Sequence, residues 1–294
     1  MSECILLFSG GTDSTAAAAI VARQHSVVHL ITCWEMGTRS SPMPTENVRR
    51  LRQKLGESKF THVSLNTDAL IRRLSYTESW RGYLRSLLRH GLFNLATPGM
   101  SSLSWHLAAI HHAHALRAQG KGITHVYDGM TRELLHLPGH MSSIRQLFKT
   151  LYAHHELEFS SPVIDFDVPP DQRFTDRLIV DRHGFAARPE LTQTTRSTGR
   201  LLQELGIFPH ANVKGSLFDH RMQHDCYPFV LYNMLCFWWW SKLMPWSKVE
   251  EKLCRLFAER VEDGRQILQS EIASSNSTAA PSAPSIFAAA QPVS

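Results

Sequence analysis

The first twenty-three residues constrain the chain more than any other stretch. Cys4 to Phe8 is a short, continuous apolar run, the pattern of a strand buried on both faces of a parallel sheet. Ser9-Gly10-Gly11-Thr12-Asp13-Ser14 follows, and the Ala-rich segment from Thr15 to Arg23 reads as a helix. A buried strand turned through two glycines into a helix opens a βαβ unit. The pattern then repeats. Val27 to Trp34 is a second apolar, β-branched strand, and Thr45 caps a helix through Val48, Leu51 and Leu55 that ends near Gly56. Phe60 to Leu65 alternates as a third strand. Strand, helix, strand, helix, strand implies right-handed crossovers and a parallel sheet.

Further along, Asp68 to Leu92 carries apolar residues at helical spacing, with Arg72, Arg73, Arg81, Arg85 and Arg89 between them. Ser101 or Ser102 caps a helix running to Arg117, Ile123 to Tyr127 is a fourth strand ending at Asp128-Gly129, and Ser142 to His155 is a further helix. Pro162 to Phe166 is the expected fifth strand. The reading is an α/β fold, a parallel five-stranded sheet with helices on both faces, followed by a smaller, mainly helical C-terminal region. Pro169-Pro170 marks the break, giving a first unit over residues 1–167 and a second over 168–273. That second unit holds a hairpin around Arg177 to Phe185 and helices over Thr195 to Leu205, Tyr227 to Leu243 and Trp246 to Glu271. Residues 274–294 are Ser-, Ala- and Pro-rich and are expected to be a disordered tail.

Composition excludes several classes. Of 294 residues, 43% are hydrophobic and 19% charged, which supports a sizeable core. Five scattered cysteines without a CxxC pair argue against a disulfide framework and against a structural zinc site. The most apolar stretch, Tyr227 to Trp240, is about 14 residues, short of the length that spans a bilayer. No basic n-region precedes the first strand, so a cytoplasmic protein with no membrane partner is expected. Arginine supplies 23 of the 31 cations, and its planar fork suits phosphate.

The loop between the first strand and helix carries the chemistry. Gly10 and Gly11 let the backbone bend tightly and turn its N–H groups toward an anion, and the helix N-terminus adds donors and partial positive charge. Ser9, Thr12 and Ser14 add hydroxyls. Asp13 beside bound phosphates makes sense when a cation such as Mg²⁺ lies between. The loop lacks the Gly-Lys-Ser/Thr ending of a Walker A motif, which disfavours a kinase or GTPase.

These six residues resemble the SGGxDS signature of the PP-loop (N-type) ATP pyrophosphatase superfamily, whose fold is adenine nucleotide α-hydrolase-like. The match covers all six positions, and the alternating pattern to about Asp167 fits that fold. The resemblance implies ATP and Mg²⁺ as cofactors. It implies that Ser9 to Ser14 hold the β- and γ-phosphates, that Asp13 holds the metal, and that AMP and pyrophosphate are products. It places adenosine along the ends of the second and fourth strands, making Thr32, Cys33 and Trp34, and Asp128, Gly129 and Met130, the candidate nucleotide-binding residues.

Within that superfamily the chain is most similar to the sulfur-inserting branch that forms 6-thioguanine from guanine, with a cysteine-derived sulfur donor. The cysteine cluster of deazapurine nitrile synthases is missing, as is a preceding glutaminase domain. Cys226, in His224-Asp225-Cys226-Tyr227-Pro228 with His220 and Arg221 upstream, is the candidate sulfur carrier, because neighbouring cations lower a thiol pKa. The same residues also read as a helix-capping segment with a buried cysteine. His106, His111, His112 and His114 share one helix, by default a solvated surface; Ala113 among them admits the reading of a catalytic cysteine replaced there. Trp34, Trp80, Trp105 and Tyr127 are the aromatics offered for stacking a purine, and Glu35 for accepting from its N–H groups. Two alternatives stay open: tRNA base thiolation, with the arginine row tracking a phosphate backbone, and a non-catalytic nucleotide-binding subunit. The helix holding Phe237-Trp-Trp-Trp240 reads as core or as a homodimer contact.

Overall fold

The computed structural model of the protein describes residues 2–35, 43–91, 93, 100–131, 138–166, 197–210, 239–240, 242–275 and 287. Five parallel strands, β1 (Glu3–Leu7), β2 (Val28–Trp34), β3 (Phe60–Asn66), β4 (Ile123–Tyr127) and β5 (Glu158–Ser160), form one sheet in the order β3-β2-β1-β4-β5. The expected α/β architecture is therefore present. Leu6 of β1 lies opposite Leu30 of β2 and Tyr127 of β4, so the central strand is flanked on both sides.

Alternation along the strands divides the core in two. Cys4, Leu6 and Phe8 face one layer, with α1 (Thr12–Val21) and α2 (Met43–Leu55); Ile5 faces the other. On that other face lie α3 (Asp68–Leu74), α5 (Met100–Ala118) and α6 (Ser142–Ala153), with α4 (Trp80–His90) preceding α5 in the chain. The C-terminal helices join both layers. In α7 (Thr198–Glu204), Leu201 and Leu202 pack with Ala16 to Ala19 of α1, while Val249, Leu253 and Phe257 of α8 (Trp246–Ser275) join the core of α5 and α6. Helix α1 is buried nearly all round because it lies between the sheet and α7, and alanines allow that close approach.

Several expected elements are corrected. The helical spacing that begins at Asp68 resolves into two helices, α3 and α4, broken where Tyr76 takes a left-handed φ of 57°. The fifth strand is Glu158–Ser160, not Pro162 to Phe166, which is mostly a turn. Phe159 is the buried residue there, and Pro162 has no N–H to add to a ladder. Helix α8 continues to Ser275, and Phe287, from the segment expected to be disordered, is buried with its ring stacked on His111 at 4.3 Å. The break at Pro169-Pro170, the hairpin near Arg177 and the apolar run from Tyr227 to Phe237 lie outside the described residues.

Candidate active site

Strand order fixes where a ligand belongs. From β1 the chain moves outward through β2 to β3, then crosses back to place β4 on the opposite side of β1. The loops leaving β1 and β4 therefore diverge, and a crevice opens at the carboxyl ends of those two strands. Residues Ser9 to Ser14 leave β1 there, and Asp128 to Met130 leave β4. The two segments expected to hold the nucleotide thus meet at the switch point.

Their contact is backbone to backbone. A Cβ added to Gly129 would lie 2.4 Å from Ser14 Cα and 2.6 Å from Ser14 N, so only glycine fits. On its other side the Ser9–Ser14 loop meets α2. Gly10 has a φ of +79°, a Cβ there would sit 2.7 Å from Pro44 Cα, and the Asn47 amide donates to the Gly10 carbonyl at 2.6 Å. Gly11 is the N-cap of α1, and its carbonyl accepts from the Ser14 hydroxyl at 3.2 Å and the Thr15 hydroxyl at 2.7 Å. The Ser9 and Ser14 hydroxyls lie 3.1 Å apart. The first-turn N–H groups of α1 have no carbonyl within the helix to bind, which is the donor set that an anion takes up.

Asp13 is half-buried, and its Oδ1 accepts from the Thr198 hydroxyl at 2.5 Å. A hard carboxylate oxygen beside phosphate-directed donors suits Mg²⁺, which takes one or two carboxylates and completes its shell with phosphate and water. No group of three His, Cys, Asp or Glu suited to a metal occurs among the described residues.

The other expected nucleotide residues divide. Trp34 ends β2 and remains 37% exposed, at the crevice edge. Thr32 is buried; its hydroxyl donates to the Phe8 carbonyl at 2.7 Å and lies 2.8 Å from His62 Nε2, tying β2 to the end of β1. Burial pushes the Cys33 thiol far up, and Cys4, also buried, is pushed up to about 12, so neither is a ready thiolate. Cys226 lies outside the described residues. Glu35, one residue beyond β2, is buried; burial raises its carboxyl to about 7 against the pull of the Ser101 hydroxyl, which donates at 2.7 Å from the first turn of α5.

Asp128 is buried and held by protein partners. Its carboxylate accepts from Arg145 Nη1 at 2.8 Å, from the Ser161 hydroxyl and from the Met130 amide at 3.2 Å. Burial opposes the charged form, yet Arg145, His106 and Ser161 outweigh it and hold the carboxyl below its ordinary value. Arg145 and Ser161 escaped the sequence reading, although one signal was available. Arg145 falls on the helical stripe of Ile144, Phe148, Leu151 and Tyr152, and an arginine at a core position needs a buried partner.

The histidine helix is corrected as well. His106 is 4% exposed, hydrogen-bonded through Nδ1 to Tyr152 Oη at 2.9 Å, and pushed by burial down to about 3. His111, His112 and His114 are half-buried, and desolvation lowers each of them. Ala113 is fully buried in the core. The N-terminal end of α5 lies at the crevice, and Ala113 is thirteen residues farther on, about 20 Å along the axis. That position does not border the crevice. Of the proposed stacking aromatics, Tyr127 is buried with its hydroxyl 3.0 Å from His25 Nε2, and Trp80 sits exposed on α4. The arginines Arg72, Arg73, Arg81, Arg85 and Arg89 are exposed, and Arg89 pairs with Glu259 at 2.8 Å.

No family model and no curated protein matches the sequence. Among solved structures, a protein described as a predicted subunit of tRNA methyltransferase from Methanocaldococcus jannaschii is similar at 19% identity, with a TM-score of 0.35 over 72% of this chain and 93% of its own. NMN synthetase from Francisella tularensis is similar at 12% identity, with a TM-score of 0.39 over 90% of this chain and 86% of its own. The site assignment rests on the geometry of this chain. No helix among the described residues is long and apolar enough to cross a membrane.

Proposed function

We propose that the protein is a PP-loop ATP pyrophosphatase that adenylates a carbonyl oxygen of a small purine, and that guanine is converted to 6-thioguanine. The observation that carries the first part is the seating of Ser9 to Ser14 at the β1/β4 switch point, closed on one side by Gly129 and on the other by Pro44 and Asn47. Such a loop grips the β- and γ-phosphates and leaves the α-phosphorus open. The purine oxygen attacks that phosphorus, the bond to the bridging oxygen breaks, and pyrophosphate leaves. A sulfur nucleophile at the oxidation level of hydrosulfide then attacks C6, and AMP departs with the original oxygen. Asp13 supplies the carboxylate for Mg²⁺, whose charge offsets that of the phosphates. The chain's own part is positioning and charge compensation.

Two residues support a purine substrate. Trp34 offers a partly exposed ring at the end of β2, and Glu35 follows it with a carboxyl raised to about 7, an acceptor for base N–H groups once deprotonated. Cys226, as its persulfide, is the proposed sulfur carrier and a cysteine-derived donor the source; an external thiol would reduce the persulfide, releasing hydrosulfide and leaving a disulfide with Cys226.

The test is incubation of the protein with ATP, Mg²⁺ and guanine, with and without sulfide, followed by AMP, pyrophosphate and 6-thioguanine. Release that required tRNA and fell steeply with salt would replace the small-molecule substrate with tRNA. Nucleotide binding without turnover under every condition would leave a binding subunit.

A further inference from the structure

Asp128 and Arg145 form a buried ion pair at the switch point, with side-chain exposures of 11% and 10%. Taking two charges out of water is expensive, and apolar residues of similar volume often stabilise as well, so such a pair calls for a use. The contacts show one. The Arg145 guanidinium spans Asp128 Oδ2 through Nη1 and Ser161 Oγ through Nη2 at 2.5 Å, and it lies over the Phe159 ring with 4.8 Å to the centroid. The Asp128 carboxylate, so held, accepts the Met130 amide and closes the turn over Asp128-Gly129-Met130. The turn presses Gly129 onto the backbone of Ser14, inside the phosphate loop.

We propose that Arg145 is a positioning residue for the phosphate loop, acting through Asp128 and the Gly129–Ser14 contact; this rests on the reading of Ser9 to Ser14 as the site of ATP phosphates. The guanidinium touches no phosphate itself. It fixes one carboxylate rotamer, the rotamer fixes the turn, and the turn sets how closely the β4 loop approaches the first turn of α1. A lysine ammonium keeps the charge but lacks the planar fork that reaches Asp128 and Ser161 together. A loose turn lets Gly129 withdraw and the loop amides lose their alignment.

The experiment uses the full chain, with Arg145→Lys beside Ile144→Val, a control that perturbs the same turn of α6 and leaves the fork intact. Both are read by thermal melting, by hydrogen exchange at Thr12 to Ser14 and at Met130, and by calorimetric titration with ATP and Mg²⁺. In Arg145→Lys, exchange at both segments should rise together, and the ATP dissociation constant should rise about tenfold or more, as for a misplaced binding group. The control should leave both unchanged at comparable melting temperature. Unchanged exchange at Thr12 to Ser14 in Arg145→Lys overturns the proposal, as does an equal rise in the control. Where the unsubstituted protein binds no ATP, the functional reading fails by itself, and exchange at Thr12 to Ser14 still decides the link to Arg145.

Discussion

The Thr198 hydroxyl donates to the Asp13 carboxylate across 185 positions of sequence. The bond brings the start of α7 to the phosphate loop, while Leu201 and Leu202 hold α7 against the alanines of α1. The acid expected to meet Mg²⁺ is thus oriented by the C-terminal part of the chain. Asp13→Ala should lower AMP and pyrophosphate release by at least about 100-fold, the scale of a lost electrostatic group. Thr198→Val should cost about 1 to 3 kcal/mol of stability, as for a hydrogen bond to a charged group, and Thr198→Ser should retain it. Urea titration and a coupled pyrophosphate assay check these, and full activity in Asp13→Ala would remove the loop from the mechanism.

Gly129→Ala puts a methyl into the backbone of Ser14, which cannot move aside like a flexible side chain. The expected loss is about 1 to 3 kcal/mol, typical of overpacking, with weakened ATP binding. Gly10→Ala combines a positive φ with a clash against Pro44 and should be at least as damaging. Gly122→Ala, where a Cβ meets nothing within 4 Å, is the control. Equal melting temperatures and ATP affinities for all three would refute the close-approach argument.

One buried histidine, His106, and two half-buried ones, His62 and His112, set an acid limit. Burial holds His106 down to about 3 and His62 and His112 down to about 4. Below pH 6.5 the unfolded chain takes up protons that these folded side chains refuse. Stability contributed by their neutral forms is therefore complete above the unfolded value and is lost as pH falls from 6.5 toward 3 to 4. The slope per histidine is about 1.4 kcal/mol per pH unit. Urea unfolding at pH 7 and pH 5 should show this loss, reduced by one histidine's share in His106→Gln. An identical pH dependence in the variant would contradict it.

The proposed role of Glu35 at the base implies a second, functional pH dependence. With its carboxyl raised to about 7, it is protonated below that pH and accepts poorly from a base. Turnover per KM for guanine should rise through pH 7, and Glu35→Gln should flatten that limb while lowering the rate. The pH profile of pyrophosphate release is the check, and a limb surviving in Glu35→Gln would assign it elsewhere.

Sequence reading went far near the N-terminus because the constraints there are local. A five-residue apolar strand, two glycines and an alanine helix satisfy their patterning within about twenty residues, so β1, the loop and α1 were legible. The limits came where a residue's role depends on what lies opposite. Pro162 to Phe166 looked as apolar as a strand, yet Phe159 occupies the buried position beside β4. His106 of α5 reads as solvated from the sequence, yet its ring lies against Phe148 of α6 and Phe159 of β5.

The sequence by itself determined the α/β pattern and the strand–glycine turn–helix unit around Ser9 to Ser14, with glycine required at position 10. Tertiary structure alone decided that Asp128 pairs with Arg145, that Ala113 belongs to the core, and that Thr198 reaches Asp13. The physical reason is the range of the forces involved. Backbone propensity and strand-helix periodicity act between near neighbours in the chain. Desolvation and the pairing of buried charges depend on segments that meet only when the sheet has formed.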